Sequence, residues 1–464
     1  MALTAKNLSF SYRKKSPIFE NVNLNIEKGS FTLMMGPSGC GKSTLFKCLA
    51  GLFPQYGGMV SGSVTVDGEP VAESAANERV KKVSMLFQNP KEQFVLETVE
   101  AEIAFALENL SLEPAEIENR IDKALAMVHI SEFKHRFLGQ LSGGEMQKVV
   151  LAEVLALGAE YLLLDEPFAA VDHDSRVELQ ELFLELSKAG YAVLVCDHDD
   201  AGYENRITDF YRCSKGEVTS VESDNWPKDL GEEVFELAAK LPGTGLTLTA
   251  SELALENDQR LLLFQKELEV NKGDLILITG ENGSGKSTFL KAISKLQKYD
   301  GALHFNGKNL SDWKNKAYYQ SVGLVFQSAL DQFLTITVEE ELAQVKRYAK
   351  NQRYWTEDRV DDALERLELT GLSKRSVYTL SGGQQKKLQV LLMLMTEKEL
   401  LLFDEPFAGL DNDSFQKVIE LIQESRAALE QTMLIVSHQI RPLMGVVNRR
   451  LHLQNRELNE EVHA

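Results

Sequence analysis

The sequence predicts an α/β protein made of two copies of one domain, each with a mostly parallel sheet at its core. Three observations predict it. Phe31 to Met35 and Leu275 to Thr279 are short apolar runs that stop at a glycine-rich loop and precede a helix-compatible stretch, giving the order strand, loop, helix. Tyr161 to Leu164, Ala192 to Cys196, Leu400 to Phe403 and Met433 to Val436 are further apolar runs of buried-strand length that end at polar residues, as strands covered on both faces do. The third observation is repetition. GPSGCGKST (Gly36 to Thr44) returns as GENGSGKST (Gly280 to Thr288), and LFQNP with Gln88 returns as VFQSA with Gln327. LSGGE returns as LSGGQ, LLLDEPFAAVD as LLFDEPFAGLD, and His198 as His438. A nearly constant spacing in unbroken order means a duplicated domain.

A chain of 464 residues has room for two to four domains at roughly 100 to 200 residues each. The repeat selects two, 1–220 and 243–464. The joint between them, 221–242, falls in a stretch with Gly216, Pro227, Pro242, Gly243, Gly245 and scattered acidic residues. Lys and Arg number 50 against 69 Asp and Glu, a net charge of -19, which excludes a chain that holds nucleic acid through its overall field. Cys40, Cys48, Cys196 and Cys213 form no CxxC pair and are too few for a disulfide framework, so a reducing cytosol is expected. The N-terminal stretch lacks an apolar signal core, and no run approaches the roughly 18 to 20 apolar residues that span a bilayer. No direct membrane insertion is expected.

Each loop motif implies its chemistry. In a GxxxxGK[ST] loop, glycines let successive backbone amides face inward, and the following helix presents its positive end, so the loop holds phosphate. Gly36, Ser38, Gly39 and Gly41 form the first cradle, and Gly280, Asn282, Gly283 and Gly285 the second. Lys42 and Lys286 are expected to reach the β- and γ-phosphates, Ser43 and Ser287 to offer hydroxyls to Mg²⁺, and Thr44 and Thr288 to lie near the α-phosphate. Asp165 and Asp404 close their strands and are placed to reach the magnesium shell through water. Glu166 and Glu405, one residue on, are placed to accept a proton from the water attacking the γ-phosphorus, or to orient it. The run Cys196 to Asp200 is expected to be solvated or capping rather than a metal site.

LSGGE and LSGGQ make the pattern specific, and with them the chain resembles an ATP-binding cassette protein over nearly its whole length. The resemblance implies two P-loop ATPase domains, each a RecA-like mostly parallel sheet with an antiparallel β subdomain and an α-helical signature subdomain. It implies hydrolysis of ATP with Mg²⁺, with Gln88 and Gln327 at the metal and His198 and His438 at the γ-phosphate. It also implies a head-to-tail pair: Ser381, Gly382 and Gly383 complete the site built on Lys42, and Ser142, Gly143 and Gly144 the site built on Lys286, with Asp172 and Asp411 beside them. Tyr12, closing LSFSY, matches the aromatic that stacks on adenine. The stretch expected to correspond, LTLTA, ends in Ala250, leaving the second site short of a ring unless Phe264 or another ring substitutes. Glu145 opposite Gln384 places a potential charge near one γ-phosphate, and Ala169 and Ala408 stand where many cassettes have a serine.

QNPKEQFVLETVEAEIAFALENL, from Gln88 to Leu110, resembles the ATPases of energy-coupling factor and cobalt or nickel importers, and QSALDQFLTITVEEELA, from Gln327 to Ala343, keeps part of that pattern. The resemblance implies a transmembrane coupling component and a substrate-binding membrane component as partners. It places the chain in the cytoplasm, peripheral on the inner face of the membrane, driving uptake of a vitamin, vitamin precursor or metal ion. Glu92, Glu97, Glu100, Glu102, Asp331 and Glu339 to Glu341 are expected to offer charge to arginines of that component. The competing readings are a tandem cassette acting on ribosomes or nucleic acid, a fused sugar-import ATPase, and a regulatory cassette without turnover. The short acidic joint, the segment after Gln88, and Glu166 with Glu405 stand against them in turn.

Overall fold

The parallel strands are apolar along their whole length because each face of the sheet carries its own core. In Tyr161–Asp165 and Ala192–Asp197, the residues Leu162, Leu164, Val193 and Val195 enter one core, and Tyr161, Leu163, Ala192, Leu194 and Cys196 the other. Leu400–Asp404 and Thr432–Val436 divide in the same way, with Leu401, Phe403, Met433 and Ile435 opposite Leu400, Leu402, Leu434 and Val436. Side chains alternate across a strand, so burial on both sides removes the polar half of the usual pattern.

The computed structural model describes the chain except residues 13–16, 38, 88–92, 169–170, 228–236, 240–244, 258–259, 350–352 and 462–464. It divides into two units, Met1–Gly231 and Glu232–Ala464. Val221 and Trp226 pack on the first unit's core and Leu237 on the second's.

Each unit holds a 6-stranded and a 4-stranded sheet of matching topology. In the first unit the larger sheet runs Glu217–Ser220, Asp209–Ser214, Phe31–Met35, Ala192–Asp197, Tyr161–Asp165, Val83–Leu86. All its pairings are parallel except the terminal hairpin. The second unit repeats this order around Leu275–Gly280. One face carries the helices Val99–Glu108, Pro114–Met127 and Gly143–Leu157, matched by Val338–Tyr348, Glu357–Arg366 and Gly382–Leu394. The other face is covered by the antiparallel sheet.

The register of that antiparallel sheet overturns one expectation. Leu3 pairs with Ile26 and Val66, and Leu248 with Val270 and Phe305. Asn7 and Glu252 both adopt positive φ, each closely approached by a glycine, Gly62 or Gly301. These pairings align Ala250 with Ala5, both buried in mid-strand, and align Tyr12 with Asn257. Ala250 is therefore a core residue, 2% exposed, not the counterpart of the adenine-stacking ring. The likeness of LSFSY to LTLTA puts the match seven residues too early, at Ala250 instead of Asn257. Phe264 is exposed beside the turn at Arg456, to whose carbonyl its amide donates.

Candidate active sites

In each unit the phosphate-loop strand lies between two parallel neighbours, so its loop leaves the middle of the sheet at the carboxyl end. A ligand meets a crevice there. The first loop residue must be glycine: a Cβ at Gly36 would stand 2.1 Å from the Cys213 carbonyl oxygen, and one at Gly280 2.6 Å from that of Leu453. Gly41 and Gly285 turn the chain at φ 104° and 115° into the helices Lys42–Leu49 and Lys286–Ile293, a conformation that costs other residues. Thr44 and Thr288 lie in the first turn of those helices. Ser38 falls outside the described residues.

Both lysines are buried and folded over their own loops. Lys42 Nζ donates to the carbonyls of Gly36 (2.6 Å) and Pro37 (3.2 Å), and Lys286 Nζ to those of Gly280 (2.6 Å) and Glu281 (2.7 Å). The next residue faces the end of the strand two places along the sheet: Ser43 Oγ donates to Asp165 Oδ1 at 3.1 Å, and Ser287 Oγ to Asp404 Oδ1 at 2.9 Å. Burial pushes both aspartates up from the usual carboxylate range. A hydroxyl and a carboxylate converging beside an amide-lined helix start are hard oxygen donors next to an anion cradle, which fits Mg²⁺ with a nucleotide phosphate. The Cys196 thiol adds a donor to Asp165 Oδ1 at 3.1 Å. No sequence pattern announced it.

Glu166 and Glu405 sit at φ 49° and 50°, left-handed backbone that a non-glycine residue adopts at a cost. Each amide donates to the adjacent strand, Glu166 to the Cys196 carbonyl and Glu405 to that of Val436, both at 3.0 Å. Each carboxylate thereby meets its histidine: Glu166 Oε1 is 2.5 Å from His198 Nε2, and Glu405 Oε1 is 3.3 Å from His438 Nε2. Burial, with Asp404 adjacent, pushes Glu405 up to about 8.

Tyr12 stands at the mouth of the first loop, 54% exposed, with its hydroxyl 3.1 Å from Thr44 Oγ1 and its ring edge-on to Phe10 and Phe53. The signature residues begin helices. Ser142 and Ser381 cap Gly143–Leu157 and Gly382–Leu394, and Glu145 and Gln384 return the bond to the cap amide. The Glu145 carboxylate is thus engaged in a capping box, with Arg136 3.7 Å away. At Gly144 a Cβ would stand 2.7 Å from that of Ser175. Gly383 lies beside the Gly409 carbonyl. Asp172 and Asp411 are helix caps too, accepting from the amides of Ser175 and Ser414. Gln327 is exposed, with its carbonyl held by Lys386, while Gln88 and Ala169 fall outside the described residues.

Two expectations about acidic residues change. Asp197 is buried rather than solvated, bound by Arg176 and by the Tyr203 hydroxyl, each at 2.9 Å. Glu102 and Glu341 are buried and accept the amides of Val95 and Leu96 and of Leu334 and Thr335. They shape the loops and are not available to a partner. Glu100 pairs with Lys134 and His135, and Glu340 caps its own helix, whereas Glu97, Asp331 and Glu339 are exposed. Glu92 lies outside the described residues.

The ABC transporter family profile matches residues 19–169 and 263–408. The chain is 31% identical over 481 residues to the Bacillus subtilis (strain 168) protein YkoD, named for HMP/thiamine import ATP binding, across 94% of this chain and 87% of that one. It is 32% identical over 518 residues to a Vibrio vulnificus (strain CMCP6) protein named for ABC transporter ATP binding, across 99% and 89%. A structure titled as a model of ribosome-bound archaeal Pelota and ABCE1 aligns with TM-score 0.70 at 20% identity, over 98% of this chain and 78% of that one, a likeness of fold. The matched residues hold both phosphate loops, both Ser-Asp contacts, Glu166 and Glu405, and the chain belongs to the ABC transporter family as a tandem ATPase that hydrolyses ATP with Mg²⁺.

Proposed function

We propose that the chain is the ATP-hydrolysing engine of an energy-coupling-factor importer, peripheral on the cytoplasmic face of the membrane and driving uptake of a vitamin, vitamin precursor or metal ion. Two composite ATP sites form head to tail: Lys42 with Ser381, Gly382 and Gly383, and Lys286 with Ser142, Gly143 and Gly144. In each, the loop amides and lysine hold the β- and γ-phosphates. Ser43 with Asp165 and Gln88, and Ser287 with Asp404 and Gln327, hold magnesium, which when bound neutralises phosphate charge. Glu166 and Glu405 orient the attacking water, and His198 and His438 fix those carboxylates and face the γ-phosphate. Tyr12 stacks on the adenine of the first site.

The observation that carries the importer reading is a pair of matching tips. After each Gln segment the chain exposes apolar residues, Val95 and Leu96 in one unit and Leu334 and Ile336 in the other, propped from beneath by the buried Glu102 and Glu341. Exposed apolar groups with exposed carboxylates near them in sequence, Glu97 in the first unit and Asp331 and Glu339 in the second, suit a basic amphipathic helix of a membrane partner. The name of YkoD supports the same reading, and among the described residues no helix is long and apolar enough to cross a membrane. The test is capture of the tagged chain, with whatever membrane proteins accompany it, from detergent-solubilised membranes of its source cells. Glu97→Lys with Asp331→Lys is expected to cut capture at least tenfold. Undiminished capture, or sedimentation with ribosomes instead of membranes, would overturn the reading.

A further inference from the structure

Lys386 lies one turn into the helix Gly382–Leu394 and is 6% exposed. Its ammonium reaches the loop after the strand Val322–Val325, donating to the carbonyls of Gln327 at 2.6 Å and Phe326 at 3.4 Å. Gln389, on the same face, donates to the Phe326 carbonyl and to Gln332 Oε1, both at 2.9 Å, and Gln332 Oε1 accepts the Phe326 amide at 3.2 Å. The start of the loop is therefore laced to the helix through its main chain. Burying an ammonium is costly unless hydrogen bonds and opposite charges offset it. Here the two carbonyls and the nearby carboxylates of Glu405 and Asp404 offset only part of that cost, burial remaining the larger effect. The matching helix of the first unit, Gly143–Leu157, has neutral Gln147, also buried, at this position. The fold does not require a cation there.

We propose that Lys386 is a positioning residue of the second ATP site, fastening the Gln327 main chain to the helix so that the Gln327 side chain is presented to the cation shared by Ser287 and Asp404. This rests on the reading of Gln327 as a magnesium ligand. Gln88, the counterpart of Gln327, lies outside the described residues, and the tie is described for the second unit alone. Loss of the tie frees the loop without removing any atom that touches the nucleotide. It acts on the cation and not on the phosphate cradle.

The test uses the full chain carrying Glu166→Gln and Glu405→Gln, which slows hydrolysis, with ATP present and Mn²⁺ binding followed by electron paramagnetic resonance. Adding Lys386→Met or Lys386→Gln is expected to weaken one of the two bound ions about fivefold, and Lys386→Arg to hold it within twofold. Gln327→Ala serves as the control for the underlying reading. If Gln327→Ala weakens one ion and neither neutral variant at Lys386 does, the proposal is overturned. If Gln327→Ala leaves both ions unchanged, the ligand reading fails, and this inference with it. Lys386→Gln imports the residue the first unit already folds with, so it reads out even where Lys386→Met does not fold.

Discussion

At the residue scale the two units solve one packing problem with different chemistry. Arg176 lies 4.7 Å from the centre of the Phe168 ring and pairs with buried Asp197, which also accepts from Tyr203. At the matching positions the second unit has Phe415 against Phe407, with ring centres 4.3 Å apart, and Ser437. A cation-π contact with an ion pair has been exchanged for two aromatic rings and a hydroxyl. Breaking a buried pair from one side strands a charge, whereas replacing both partners can be nearly neutral. Arg176→Met is therefore expected to cost about 3 kcal/mol in urea unfolding, and Arg176→Phe with Asp197→Ser to recover most of it. Equal losses in the single and double variants would count against this account.

At the element scale the signature helices show how much a shared cap leaves free. Both begin with a serine that caps and a partner at the third helical position that caps back, so Glu145 and Gln384 differ in charge while doing the same structural task. Farther along, the first helix carries half-buried Glu153 where the second has buried Leu392. Burial, with Glu102 nearby, raises Glu153 from 4.5 to about 7. Its folded-state pKa lies above the unfolded value, so the protonated acid is the form the fold favours. Its contribution to stability is complete below about 4.5 and is lost as pH rises through about 7. Glu153→Gln should remove that slope and stabilise the first unit at pH 8 by on the order of 2 to 3 kcal/mol. Chemical unfolding of both proteins at pH 5 and pH 8 checks it: no gain at pH 8 would refute the burial argument.

At the scale of the whole molecule, one chain carries two complete sets of hydrolytic groups. Lysine, Ser-Asp contact, strained glutamate and histidine recur in both units, with the Glu-His approach closer in the first (2.5 Å) than in the second (3.3 Å). Both sites are therefore expected to turn over. Glu166→Gln and Glu405→Gln, made singly, should each leave steady-state ATPase activity within about tenfold of the parent, roughly 1.4 kcal/mol in barrier height. Only the double variant should fall further. Complete loss in either single variant would show strict coupling between sites or one site that does not hydrolyse. Their differences, Lys386 opposite Gln147 and Tyr12 opposite Asn257, allow the two sites to differ in rate.

The sequence by itself determined the duplication, the strand-loop-helix cradles and the identity of the acidic and histidine groups at strand ends. Those features are local: a glycine that turns the chain at φ 104° into the helix Lys42–Leu49, or an apolar run closed by Asp165, reads the same in one dimension as in three. Only the tertiary structure decided the rest. Strand pairing moved Ala250 into the core and placed Asn257 opposite Tyr12, because register is fixed by neighbours distant in sequence. Folding also turned Glu102, Glu341 and Asp197 from apparent surface charge into buried supports, and brought Lys386 to the carbonyl of Gln327. A charge in the sequence acquires its meaning from what surrounds it, and for these residues the surroundings come from other elements.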